Sequence, residues 1–187
     1  MESKTIAVIA VFAALTIAFN LSPIKVPFPL ATFLIFQIWE IPIVAASLLF
    51  GLRVGVFISI INTASLLILF PGDLPTGPFY NLAAVLSMLL GIYVIHRFLS
   101  ERFNERREVT LPAFSTAVGT LSRVGAMSII NWLFLPFPPP VGFGIPVELV
   151  IAWLPIIGVF NAILTLYTIP IGYLLANFVG STLKTTI

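Results

Sequence analysis

The chain of 187 residues has no cysteine, only one histidine and very little charge. Without cysteine it forms no disulfide, thiolate metal site or iron–sulfur cluster, and a single histidine excludes the common zinc sites. Charged residues make up 9% of the sequence and hydrophobic ones 59%, whereas soluble domains are about 25% charged. A chain of this length cannot bury so many apolar side chains within itself, so its solvent is lipid. An ordinary soluble enzyme, a disordered chain and a nucleic-acid-binding protein are therefore excluded.

Six apolar stretches are long enough to cross the hydrocarbon core as helices, which takes about 20 residues. They are continuously apolar rather than alternating, which excludes a transmembrane barrel. We therefore expect an all-α integral membrane protein, a six-transmembrane-helix bundle that forms a single membrane domain over residues 1–187. Prolines inside the last stretch predict a kink, a tilt or an interfacial end there. The predicted helices run approximately over residues 5–21, 30–52, 54–70, 78–95, 111–135 and 147–179.

The positions of lysine and arginine orient the bundle, because cytoplasmic loops carry an excess of both. With the N-terminus in the cytoplasm, seven of the nine basic residues lie at the inner face, one lies outside and one lies within a span. Both termini are therefore predicted to be cytoplasmic, in a multi-pass protein of the plasma membrane. The polar stretch over residues 96–110 becomes a cytoplasmic connector. Its alternating charges favour a solvated helix extension, and a patch that binds anionic lipid is the alternative.

Three segments on the predicted outer side, residues 22–29, 71–78 and 136–146, hold eleven of the fifteen prolines and almost no charge. Because proline fixes φ and lacks a backbone N–H, these segments cannot continue a helix. Apolar, proline-rich connectors on one face favour a lid over the outer end of the bundle. The alternative is that these segments are short chain reversals with no functional role.

Two ionisable residues are predicted to lie deep in the membrane, Glu40 near the middle of the second span and Arg123 midway along the fifth. Each costs about 2.5–3.5 kcal/mol at the bilayer centre, and such residues usually face the protein interior. We expect either a mutual salt bridge or separate roles in one polar cavity. A third interpretation places Glu40 nearer the outer interface, because Pro42 can restart a helix there.

Asparagines and aromatic residues recur together near the predicted outer ends of the helices. Asn81 and Asn131 lie at these ends and Asn161 lies deeper, and an amide in lipid must find a partner on a helix or a ligand. Some of these aromatic residues serve as interfacial anchors on the alternative interpretation. Convergent amides and aromatics are what a planar, uncharged, hydrogen-bonding ligand needs, so we predict a pocket that opens outward. The neighbouring aromatic residues are Phe79, Tyr80 and Trp132.

The first predicted helix carries alanines at four-residue spacing, namely Ala10, Ala14 and Ala18. Small residues at i and i+4 form a flat groove to which another helix can approach closely. The groove either packs within this bundle or faces lipid and receives a partner protein.

Four segments resemble the substrate-capturing S components of energy-coupling factor (ECF) vitamin transporters. The resemblance covers nearly the whole chain, and the third segment is most similar to that of riboflavin-binding members. Residues 71–77 are instead somewhat similar to folate-type members. The four segments are residues 40–55 (EIPIVAASLLFGLRVG), 77–81 (GPFYN), 123–132 (RVGAMSIINW) and 154–161 (LPIIGVFN).

The resemblance implies a six-helix protein that captures a vitamin, with riboflavin favoured, at the outer face of the plasma membrane. It delivers the vitamin through a transmembrane coupling subunit and two cytoplasmic ATPases. The alanines of the first helix would then dock on the coupling subunit. We predict a substrate-binding site with no catalytic residue, metal or cofactor. Its residues are Glu40, Phe79, Tyr80, Asn81, Arg123, Asn131, Trp132 and Asn161.

Other functional classes fit the residues less well. An intramembrane enzyme needs a nucleophile with its base, or clustered carboxylates. The sequence shows no evident serine or acid to act with His96 in catalysis, and Glu40 is the only deep acid. A phosphate-binding Gly-x-x-x-x-Gly-Lys-Ser/Thr loop is absent from the sequence. A self-contained secondary transporter or channel usually shows internal repeats, and none is convincing here. An assembly or scaffold subunit is the remaining alternative.

Overall fold

The computed structural model describes residues 2–69, 75–99 and 107–183, in which the chain forms six α-helices and a two-stranded antiparallel hairpin. Part of the proline-rich segment 71–78, part of the predicted connector and Lys184 lie outside the described residues. The elements are α1 (Ser3–Leu21), β1 (Val26–Phe28), β2 (Ala31–Phe36), α2 (Glu40–Phe50), α3 (Leu52–Leu69), α4 (Gly77–Leu99), α5 (Arg107–Phe134) and α6 (Val147–Leu183).

The second predicted span, residues 30–52, is not one helix, and that prediction is wrong. Residues 31–36 form β2, in which Phe36 lies opposite Val26 of β1, and α2 begins only at Glu40. A continuous apolar run does not by itself distinguish a buried strand from a helix. The threonine and aromatic residues of ATFLIF favour a strand. Glu40 therefore lies in the first turn of α2 and not near the middle of a membrane span.

Five of the helices, α1, α3, α4, α5 and α6, are long and apolar enough to cross a membrane. Helix α2 has 11 residues and is about 16 Å long, which is too short to span the hydrocarbon core. Its first turn accommodates Pro42, because N–H groups there have no intrahelical acceptor. Gly51, with φ of 93°, separates α2 from α3 by a single residue. Glycine adopts this backbone conformation without a Cβ clash.

Helix α2 is buried at the centre of the bundle, where Ile43, Val44, Ala45 and Ala46 have no exposed surface. It packs between α6 and α3, while α5 packs between α4 and α6. A helix that is hydrophobic on all sides is typical of a buried position. The shared core thus holds the first turn of α2 next to the middle of α5.

The hairpin packs against α6 through aromatic rings. Phe36 stacks on Phe160 with ring centroids 4.9 Å apart, and Phe28 lies 5.7 Å from the same ring. The Tyr167 hydroxyl donates a hydrogen bond to the Gln37 carbonyl at 2.6 Å. Since aromatic pairs and a hydrogen bond both hold the hairpin on α6, β2 forms a fixed wall beside this helix.

The surface of the helices carries many exposed large apolar side chains, including Ile68 at 78%, Phe178 at 73% and Phe98 at 71% exposure. Soluble monomers rarely expose large contiguous apolar patches. These side chains are suited to contact with lipid tails. The predicted orientation, with both termini in the cytoplasm, stays a prediction.

Candidate ligand-binding cavity

A cavity of about 580 Å³ lies between β2 and the helices α4, α5 and α6. Pockets for small ligands and cofactors usually measure about 300–1,000 Å³ and combine apolar walls with a few polar groups. This cavity fits that description in both volume and lining. Its residues include Thr32, Leu34 and Ile35 from β2, Tyr80, Asn81 and Ala84 from α4, Arg123, Met127 and Asn131 from α5, and Ile157, Phe160 and Asn161 from α6.

Arg123 forms a bidentate ion pair with Glu40. Its Nη1 donates to Oε2 at 2.5 Å and its Nη2 donates to Oε1 at 3.0 Å, and both side chains are 3% exposed. The Arg123 Nε also donates to Oδ1 of Asn161 at 2.8 Å. Charge-assisted bidentate bonds are the strongest kind of hydrogen bond in proteins. Of the predicted arrangements, the structure has the mutual salt bridge, and it joins α2, α5 and α6.

The cavity wall includes Arg123 and Asn161 but not Glu40. The carboxylate is thus a partner of the arginine and not itself part of the lining. Because the guanidinium is tied to α2 and α6, its position on the wall is fixed. Rigid polar groups lose less entropy when they bind a ligand.

Two asparagines on the wall have hydrogen-bonding capacity that the described residues leave unused. Asn131 donates from Nδ2 to the Met127 carbonyl at 2.6 Å, and within the described ranges its Oδ1 accepts no bond. Asn81 makes no side-chain hydrogen bond within the same ranges. A side-chain amide offers two donors and one acceptor oxygen. Both amides are therefore available to a ligand.

The segment after α5 folds over the start of α4. The Thr76 hydroxyl donates to the Pro140 carbonyl at 2.5 Å, and the Tyr80 hydroxyl donates to the Val141 carbonyl at 2.9 Å. A Cβ at Gly142 would lie 2.1 Å from the Phe134 carbonyl oxygen, so only glycine fits this close approach. The segment also contributes Phe143 to the cavity lining. Thr76, just before α4, and Tyr80, in its first turn, thereby fix this connector at the cavity.

Besides Glu40, two predicted site residues, Phe79 and Trp132, are not among the described residues that line the cavity. They are 52% and 47% exposed. Each helical residue turns the side chain by about 100°, so Phe79 points well away from the direction of Asn81. Trp132 is likewise one residue past the wall position Asn131. The structure thus brings five of the predicted residues to the wall: Tyr80, Asn81, Arg123, Asn131 and Asn161.

The strand residues Thr32, Leu34 and Ile35 line the cavity but were not among the predicted site residues. Sequence reasoning missed them because it assigned the segment to a membrane helix. The prolines before it and the β-propensity of residues 31–36 were the signals for a hairpin. Met127 and Phe160 also line the wall, and as apolar residues within spans they carried no distinguishing signal.

The predicted docking residues Ala10, Ala14 and Ala18 are all exposed on one side of α1. The other side, with Ile9, Ala13, Thr16 and Asn20, is buried. The Asn20 side chain donates to Oδ1 of Asn62 on α3 at 2.5 Å. Helix α1 is thus fixed to α3 by its buried side, and the alanines do not pack within the bundle.

The described part of the chain holds no group of three histidine, cysteine or acidic side chains placed to bind a metal ion. The polar groups of the cavity are amides, hydroxyls and one paired guanidinium. Their chemistry suits recognition by hydrogen bonding.

Known proteins that are similar to this chain include a curated transporter and a solved structure. The riboflavin transporter RibU of Staphylococcus aureus (strain TCH60) is 29% identical over 135 residues, which cover 72% of this chain and 66% of that protein. The match thus spans slightly less than two thirds of the relative's length. A solved S component of a bacterial ECF transporter superposes with a TM-score of 0.77 at 25% identity, covering 98% of this chain and 99% of that one. No family model matches.

These matches confirm the predicted resemblance: in sequence and in fold the chain is similar to S components of ECF transporters, and to a riboflavin transporter in particular. The similar proteins are transport proteins. Together with the five apolar helices, they indicate a multi-pass protein of the plasma membrane.

Proposed function

We propose that this chain is the substrate-capture subunit of an ECF-type importer and that it binds riboflavin in the cavity between β2 and α4–α6. The observation that carries this proposal is a cavity of about 580 Å³ with apolar walls and unused amide groups, in a fold similar to that of an S component. The 29% identity to a riboflavin transporter supports the choice of vitamin.

The cavity lining suits the chemistry of a flavin. The isoalloxazine ring is planar and uncharged, with apolar faces and an edge of carbonyl and N–H groups. Side chains such as Leu34, Met127 and Phe160 offer apolar contact, while Asn81 and Asn131 offer donors and acceptors. In this proposal the ring packs between the apolar walls and its polar edge bonds to the amides.

In the same proposal, the energy for delivery across the membrane comes from outside this chain. In the proposal a transmembrane coupling subunit receives the chain, and two cytoplasmic ATPases drive release of the vitamin on the inner side. The exposed alanines Ala10, Ala14 and Ala18 provide the docking surface on α1, because small residues let a partner helix approach its backbone closely.

A binding titration in detergent tests the proposal. Riboflavin should quench the tryptophan fluorescence of the purified protein in a saturable manner. Replacing Asn131 with alanine should weaken binding by about 2- to 12-fold, which corresponds to the loss of one neutral hydrogen bond. The matched control is Asn177→Ala, because this asparagine is exposed on α6 and does not line the cavity. Absence of saturable binding to the folded protein would contradict the proposal.

A further inference from the structure

Among the described residues that line the cavity, only Arg123 carries a formal charge, on its guanidinium. Its charge is balanced by the Glu40 carboxylate, which is paired with it through two hydrogen bonds at 2.5 and 3.0 Å. Both side chains are removed from water, with 3% exposure. The cavity is therefore electrically neutral although it contains an arginine.

The arginine also has few free donors for a ligand. Nη1 and Nη2 each donate to Glu40, and Nε donates to Asn161. Nη1 also donates to the sulfur of Met88, at 4.0 Å. A guanidinium has five N–H groups in a rigid plane. An anion that bound the Arg123 guanidinium would have to compete with the buried Glu40 carboxylate, which already forms two hydrogen bonds to it.

A phosphate ester would meet an unfavourable environment in this cavity. It carries a charge of about −1.5 to −2 at neutral pH, and taking such a charge out of water without a free cation is costly. Pulling Arg123 away from Glu40 would leave the carboxylate buried and unpaired, which is strongly destabilising. An uncharged ligand bears neither cost.

We propose that Glu40 is a specificity-determining residue: by neutralising Arg123, it makes the cavity select the uncharged vitamin over its phosphate ester. This inference rests on the proposed function. Glu40 acts through the arginine and does not itself line the cavity. The selected pair of ligands is riboflavin against riboflavin 5′-phosphate, which differ only in the phosphate group.

The test compares the dissociation constants of the two ligands for the wild-type protein and for Glu40→Gln. The wild type should prefer riboflavin by about tenfold or more. In E40Q the arginine becomes an unpaired cation, so the preference should shift towards the phosphate by about tenfold or more, the effect of one charge-assisted hydrogen bond. The matched control is Glu148→Gln on the exposed first turn of α6, which should leave the ratio unchanged.

A double variant, Glu40→Gln with Arg123→Gln, separates the effect of the unpaired charge from the loss of the carboxylate itself. It replaces the ion pair by two neutral amides, so it should retain the preference for riboflavin. Equal affinity of the wild type for both ligands, or an unchanged ratio in folded E40Q, would overturn the inference while leaving riboflavin binding intact. If the wild type binds neither ligand, the proposed function itself is refuted, and this inference falls with it.

Discussion

Replacing Arg123 with methionine removes the cation that pairs with Glu40 and keeps an unbranched side chain of similar volume. The Glu40 carboxylate would then lie in the core at 3% exposure without its two hydrogen bonds. Asn161 would lose the donor to its Oδ1 as well. Removing one partner of a buried ion pair costs about 3–5 kcal/mol. We therefore expect R123M to be strongly destabilised, although the change adds no bulk.

The double variant Glu40→Met with Arg123→Met separates this effect from loss of packing. Replacing both members of a buried pair by apolar residues of similar volume is often neutral or stabilising. The double variant should therefore be more stable than R123M, even though it carries one more substitution. If both substitutions were destabilising and their effects simply added, the double variant would instead be less stable than R123M.

Thermal unfolding in detergent, followed by tryptophan fluorescence, measures these differences. A loss of about 3–5 kcal/mol corresponds to a fall of roughly 6–20 °C in Tm for a chain of this size. The double variant should recover most of that fall. If R123M and the double variant unfold at the same temperature, or if R123M matches the wild type, the ion pair does not hold the bundle as argued.

Two further predictions concern docking and the loop over the cavity. Ala14→Trp should abolish riboflavin uptake by cells that contain the coupling module, but it should leave riboflavin binding in detergent unchanged. The control is Ala113→Trp at an exposed position of α5, which should leave both uptake and binding unchanged. Uptake that survives A14W would contradict docking on α1. Tyr80→Phe removes the hydrogen bond to the Val141 carbonyl and should speed riboflavin dissociation by about 2- to 12-fold in stopped-flow measurements. Tyr93→Phe, exposed on the same helix, is the control, and equal rates would contradict the role of this bond.

Most of the helices could be predicted from the sequence, because a long apolar run has few alternatives to a helix in a membrane. Residues 5–21 and 147–179, for example, fall within α1 and α6. The stretch over residues 30–52 shows the limit of this approach. Its first part is apolar without a clear period, so composition alone could not separate strand from helix. Tertiary contacts decided it, since Phe28 and Phe36 pack on Phe160.

Part of the candidate site could be predicted from the sequence. The cost of amides and charges in lipid singled out Asn131, Asn161 and Arg123, and all three lie on the cavity wall. Whether Glu40 pairs with Arg123 could not be decided from the sequence, because the two residues are 83 positions apart and the relative placement of α2 and α5 depends on the whole bundle. Trp132 was favoured by its position next to Asn131, but it points about 100° away around the helix.

The absorbance spectrum of the detergent-purified protein tests the central claim most directly. A tight complex dissociates slowly, so flavin bound in the cavity should survive purification. The account predicts a yellow protein whose denaturation releases riboflavin, identified by its mass, in an amount comparable to that of the protein. A folded protein that carries no flavin and shows no saturable binding of added riboflavin would contradict it.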